Sequence, residues 1–259
     1  MKKQLLLSKR IYLEGCEFAE RSDSVSSGLA ISLFQDAVEM FVWTLIKEQN
    51  IPVKENAQFT TNIESLTNAG VKLPFIPKML ELNKSRVGFK HYGNLPAIAE
   101  ATKFRAYVEE FLRVSFVDQF VQNFDDLSLV DLIAFDDVRS RLKGSEQLVK
   151  SAQYSDAINE AAIAKGMLFS KLDRFVPKIG NVPMMRGDLE SLREAVFAAL
   201  IRIPLQDYSF IKNALPNASM TMAGEWHINI FRQIKYDEVS CKRAIDCLVA
   251  LSIRMESIV

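Results

Sequence analysis

Residues 82–96 read Leu82-Asn83-Lys84-Ser85-Arg86-Val87-Gly88-Phe89-Lys90-His91-Tyr92-Gly93-Asn94-Leu95-Pro96. His91 is one of two histidines in a chain of 259 residues. Gly93 and Pro96 predict the end of a helix, because glycine takes the left-handed turn after the last helical residue and proline cannot continue the ladder. Pro77 suits the first turn of the same helix. Ile76, Leu80 and Val87 are expected on its inner side, with Asn83 among them and in need of a hydrogen-bond partner. Arg86 and His91 are separated by roughly 140° around such a helix, so they converge only if the long arginine reaches round its end.

Working outward, the chain reads as all-α. Asp23 is a suitable N-cap for a helix over 25–48, in which Ala30, Phe34, Ala37, Phe41 and Leu45 form a buried stripe. Ser32, Asp36, Glu39 and Trp43 follow helical spacing on another face. Ile51-Pro52 closes that helix, and the aromatic-rich stretch 98–122 predicts a further core helix carrying Phe104, Tyr107, Phe111, Phe116 and Phe120. After a break at 123–127, Ser128 to Asp131 resembles a capping box opening a short helix. A second short helix is expected over 136–142 and one long helix over 146–175. A loop with Pro177, Gly180 and Pro183 leads to Asp188, the N-cap of a helix ending at Pro204. Then come a short helix over 207–215, an irregular stretch over 216–230 and a last helix over 236–255. Two domains follow from this, 1–135 and 136–259, with the boundary near 135–145.

Thirty-two basic and 32 acidic residues balance, which excludes a general polyanion binder and leaves any RNA contact to a local patch. Lys78, Lys84, Arg86 and Lys90 against Glu81 supply such an excess next to His91. Cys16, Cys241 and Cys247 have neither even pairing nor metal spacing and read as reduced thiols of a cytoplasmic protein. The Leu5-Leu6-Leu7 run is too short for a membrane span or a signal sequence. His227 has no ligand-spaced neighbours, and Gly-rich phosphate loops, zinc spacings and Gly-x-Ser-x-Gly turns are absent, so no metal or cofactor is expected.

The chemistry open to the 82–96 stretch is specific. Metal-free RNA cleavage needs a base for the ribose 2′-OH, an acid for the leaving 5′-oxygen and a fixed cation beside the phosphorane. Imidazole titrates near neutrality, and a helix C-terminus favours its protonated form. Guanidinium meets phosphate in two places and keeps its charge.

The stretch 82–96, preceded by Leu-Phe-Gln-Asp-Ala-Val-Glu-Met-Phe-Val-Trp-Thr-Leu-Ile at 33–46, resembles the HEPN superfamily of helical nucleic-acid-associated proteins. In that family an arginine, four to six residues and a histidine mark an RNA-cleaving motif. The resemblance covers the first half of the chain and implies an up-and-down helical bundle followed here by a second helical region. It further implies a homodimer in which two copies of Arg86 and His91 build one cleft, with a toxin, RNA-processing or antiviral-defence role. An antitoxin or a nucleotidyltransferase belongs to the partners it admits. Asn83, Lys90, Tyr92, Glu39 and Asp36 are the supporting residues, with Asp36 or Glu39 orienting Arg86. Val87 stands where the family commonly carries a polar residue, often asparagine. This favours the alternative reading, a non-catalytic binding or dimerisation module of the same fold.

Overall fold

The computed structural model describes residues 2–54, 56–172, 196, 198–229 and 235–256. The chain divides into two compact units, Met1–Ser128 and Leu129–Val259. The expected boundary lay later, near 135–145. The division comes earlier because the 3-10 turn Leu129–Leu132 buries Val130 in the second unit's core.

The first unit contains α1 (Lys2–Ala19), α2 (Ser24–Glu48), α3 (Phe59–Asn68), α4 (Ile76–Tyr92) and α5 (Ile98–Phe120). Asp23 caps α2 by accepting from the Ser26 N–H at 2.8 Å, as its residue type predicts. Around α2 the other helices bury Ala30, Ile31, Phe34, Ala37, Val38, Phe41, Val42 and Leu45 almost completely. Helix α1 lies antiparallel to α2: its Ser8 hydroxyl donates to the Ala37 carbonyl at 2.8 Å, and its Gly15 faces the Phe34 ring. A Cβ on Gly15 would meet that buried ring at 2.7 Å, so glycine permits the close approach. The Phe41 ring packs within 6 Å of Phe111, Phe116 and Phe120 of α5, which makes the aromatic stretch a core element as expected. By length and apolar character α2 could cross a membrane. It is instead the most enclosed helix of this bundle.

Several helices end on a non-glycine residue in the left-handed region. Asn50 closes α2 with φ 52°, its N–H on the Lys47 carbonyl and the Ile51 N–H on the Ile46 carbonyl at 3.0 Å. Val121 closes α5 with φ 52°, a strained place for a β-branched side chain. Because Val121 is 92% exposed, its side chain gains little in exchange. Val121→Gly is therefore expected to stabilise the first unit by about 1 kcal/mol, read as a higher urea midpoint; an unchanged or lower midpoint contradicts this.

The second unit contains α6 (Asp136–Lys150), α7 (Tyr154–Leu172), α8 (Leu205–Ala214), a hairpin of β1 (Asn217–Met220) and β2 (Trp226–Asn229), and α9 (Glu238–Glu256). Three expectations are corrected here. The long helix over 146–175 is two helices, since Ala152 takes φ 57° and the Gln153 N–H turns back to the Leu148 carbonyl at 2.9 Å. The short helix over 136–142 continues to Lys150. The irregular stretch 216–230 holds an antiparallel pair with Ala218 opposite Ile228. The hairpin lies close on α7, for a Cβ on Gly166 would meet Trp226 at 2.7 Å and the Ala218 carbonyl oxygen at 2.9 Å. Pro177, Gly180, Pro183 and Asp188 lie outside the described residues.

Each unit also uses a lysine to gather carbonyls. Lys9 donates to the carbonyls of Phe124, Asp125 and Leu127 at 3.1, 2.8 and 2.8 Å. Lys165, only 4% exposed, donates to the Leu215 carbonyl and the Asn217 side chain at 3.0 Å and to the Ile211 carbonyl at 3.4 Å. It thereby ties the end of α8 to the start of β1.

Candidate functional site

Helix α4 is fixed by features that its sequence explains. Pro77 stands in the first turn, and Gly93 ends the helix at φ 67°. The Gly93 and Asn94 N–H groups close back onto the Phe89 and Gly88 carbonyls at 3.2 and 3.1 Å. The buried face differs from the expected one. Met79 and Leu82 are the fully buried residues, whereas Leu80 is exposed and Ile76, Val87 and Asn83 are half-buried. Met79, Leu82, Arg86 and Phe89 recur at spacings of three, four and three, the repeat of one helical stripe. Arg86 therefore belongs to the stripe that faces α2. Phe89 seats itself against Gly28 of α2, where a Cβ would fall 2.3 Å from its ring.

Arg86 meets Asp36 across the α2–α4 contact at 3.6 Å, with the two side chains 22% and 42% exposed. Its Nε is buried without a hydrogen-bond partner. Glu39, half-buried one turn further along α2, completes the cluster. Burial pushes the Glu39 carboxyl above the usual range and Asp36 adds to the effect, while Arg86 and Lys90 pull it back. The structure thus brings Asp36, Glu39, Arg86 and Lys90 together.

His91 and Tyr92 stand apart. Both are exposed in the last turn of α4, Tyr92 to 75%, and among the described residues no hydrogen bond or ion pair joins His91 to Arg86. Among the described residues the Asn83 side chain has no hydrogen-bond partner. Asp36 and Glu39 of α2 offset part of the positive charge gathered on α4. Lys78 lies over the rings of Phe75 and Tyr107 at 4.8 and 4.3 Å, and Glu81 is engaged by Lys103 at 2.8 Å. Lys84 and Lys90 remain exposed. His227 is an exposed residue of β2, and no group of three or more potential metal ligands occurs among the described residues.

The Asp36–Arg86 pair is separated by 3.6 Å and partly solvated, so its own Coulombic contribution is under about 1 kcal/mol. Asp36→Ala is expected to cost about that much in urea unfolding; a loss several times larger would mean that Arg86 cannot stay in place uncompensated.

Two residues near the cluster have no signal in the motif reading. Gln35 is fully buried with both side-chain polar atoms unpartnered; only its polarity inside an apolar run marks it. Trp43 has helical spacing with Asp36, and its environment appears only in three dimensions. No protein-family model, curated protein or solved structure matches this chain.

Proposed function

We propose that this chain is a metal-independent endoribonuclease whose cleft is completed by a second copy of itself. Two His91 imidazoles exchange the protons. One accepts from the 2′-OH as that oxygen attacks phosphorus, and the other donates to the departing 5′-oxygen, leaving a cyclic 2′,3′-phosphate. Arg86 stabilises the charge that develops on the phosphorane. Asp36 holds Arg86, Glu39 completes the acidic side of the cluster, and Lys90, Tyr92 and Asn83 surround the approach. The role is that of a toxin, RNA-processing or antiviral-defence effector, with an antitoxin or nucleotidyltransferase among its partner classes.

The observation that carries this reading is an exposed imidazole in the last turn of the helix whose inward stripe bears the clamped guanidinium. One chain supplies one suitable histidine, while the reaction needs an acid and a base, so a twofold arrangement supplies both. The test is incubation of the purified protein in EDTA with single-stranded RNA and with DNA of the same sequence. Cleavage of RNA alone, with cyclic 2′,3′-phosphate ends, supports the reading; intact RNA overturns it.

A second reading has its own observation. Arg86 is already paired with Asp36 and its Nε is sealed inside the bundle, and Val87 adds no polar group beside it. A non-catalytic binding or dimerisation module needs no more than this, and it binds without cutting in the same assay.

A further inference from the structure

At the C-terminal end of α2 lies an open cleft of about 630 Å³, lined by Trp43, Ile46, Lys47, Asn50, Ile51 and Val53. We propose that it is a stacking subsite for one nucleobase and its phosphate, a few nucleotides along the strand from the bond that is cleaved; the proposal rests on the RNA-cleaving reading above.

The placement comes from helix geometry. Residues 36, 43 and 47 are separated by seven and four positions, so they lie along one strip of α2. Trp43 is then about 10 Å further along the helix than Asp36 and about 22 Å from Gly28, where Phe89, two residues before His91, is seated, a distance that several nucleotides of one extended RNA strand can span. The cleft exists because α2 stops where it does. Asn50 takes φ 52° and the Ile51 N–H closes onto the Ile46 carbonyl at 3.0 Å, which turns the chain back and brings Ile51 and Val53 beside the indole.

The lining has the chemistry of base recognition. The half-buried Trp43 offers a rigid aromatic plane, and Ile46, Ile51 and Val53 supply apolar walls. The Lys47 ammonium lies over the Trp43 ring, 5.7 Å from its centroid, and by swinging off that face on its flexible stem it can meet a phosphate attached to a stacked base. Among the described residues the exposed Asn50 side chain has no hydrogen-bond partner, and its amide can offer a donor and an acceptor to a base edge. No carboxylate among the described residues lines the cleft, and Lys47 gives its wall a positive charge. An apolar peptide side chain would leave both Lys47 and Asn50 unused.

Base and phosphate together occur both in RNA and in free nucleotides, and the experiment separates these sources. In a His91→Ala background, which keeps RNA intact, indole fluorescence is titrated in EDTA with oligouridylate or with uridine monophosphate, and binding is followed independently by anisotropy of labelled oligouridylate. Subtracting the same titration of His91→Ala/Trp43→Phe isolates Trp43 from Trp226. Quenching by the oligonucleotide but not by the mononucleotide at equal nucleotide concentration is expected. Trp43→Ala should weaken oligonucleotide binding about tenfold or more, and Trp43→Phe, still aromatic, only a few-fold. Oligonucleotide binding with Trp43 fluorescence unmoved and affinity unchanged in Trp43→Ala overturns the subsite and leaves the nuclease reading standing. Equal quenching by the mononucleotide reassigns the cleft to free nucleotides and overturns it as well. Absence of any oligonucleotide binding removes both.

Discussion

His91→Ala should lower RNA cleavage in EDTA by 100-fold or more, since a positioned proton-transfer group contributes about 10² to 10⁴ in rate. Folding should be unaffected. The His91 side chain is exposed and, among the described residues, has no hydrogen-bond partner, and substitutions at such positions change stability by about 0.5 kcal/mol or less. Activity and stability therefore separate cleanly at this position. Arg86 is different. It lies on the inward stripe of α4 and pairs with Asp36, so Arg86→Ala removes packing and charge together, and its loss of activity reads less directly. Measured rates over a common range of RNA concentrations decide the matter. A His91→Ala protein that cuts at the wild-type rate eliminates the proposed proton transfer, whatever Arg86 does.

The second large effect belongs to Lys165 and to stability. Burial pushes its ammonium from the ordinary lysine range down to about 8. The three oxygen acceptors around it favour the charged form and work against that fall. Below pH 8 the folded protein carries a buried charge at a cost. Between pH 8 and the unfolded value near 10.5 the unfolded chain holds more of this proton than the folded one, so stability rises with pH across that window. Lys165→Met lacks the titration. The stability of wild type minus that of Lys165→Met is thus expected to increase by about 3 kcal/mol between pH 7 and pH 11. The buried Cys241 and Cys247 thiols and the Tyr236 hydroxyl, all shifted upward, titrate in both proteins and cancel in the difference. Denaturation followed by Trp226 fluorescence in a Trp43→Phe background reports on the second unit. A difference that stays flat over this range would show that Lys165 is not desolvated in the folded state.

Helical punctuation was legible wherever the chain carries a residue with a special backbone role. Asp23, Pro52, Pro77 and Gly93 each mark an end that the structure places at or beside them. The break between α6 and α7 was not legible, because Ser151-Ala152-Gln153 contains no glycine or proline and Ala152 turns left-handed under the packing of the two helices. The hairpin escaped for a related reason: Trp226 and Ala218 are held against Gly166 by tertiary contact rather than by a strong local strand pattern. At the candidate site, periodicity showed that Arg86 and His91 point in different directions. It did not show that Met79 and Leu82, rather than Ile76, Leu80 and Val87, define the inward face. That depends on Gly28 receiving Phe89, which rotates α4 so that Arg86 turns toward Asp36.

A cleft assembled from two chains has one consequence that can be weighed without RNA. Light scattering on the purified protein at micromolar concentration should give a mass of about 59 kDa, twice the 29.3 kDa of the chain. A mass of 29.3 kDa that persists as concentration rises would contradict a site in which two His91 side chains share one phosphate.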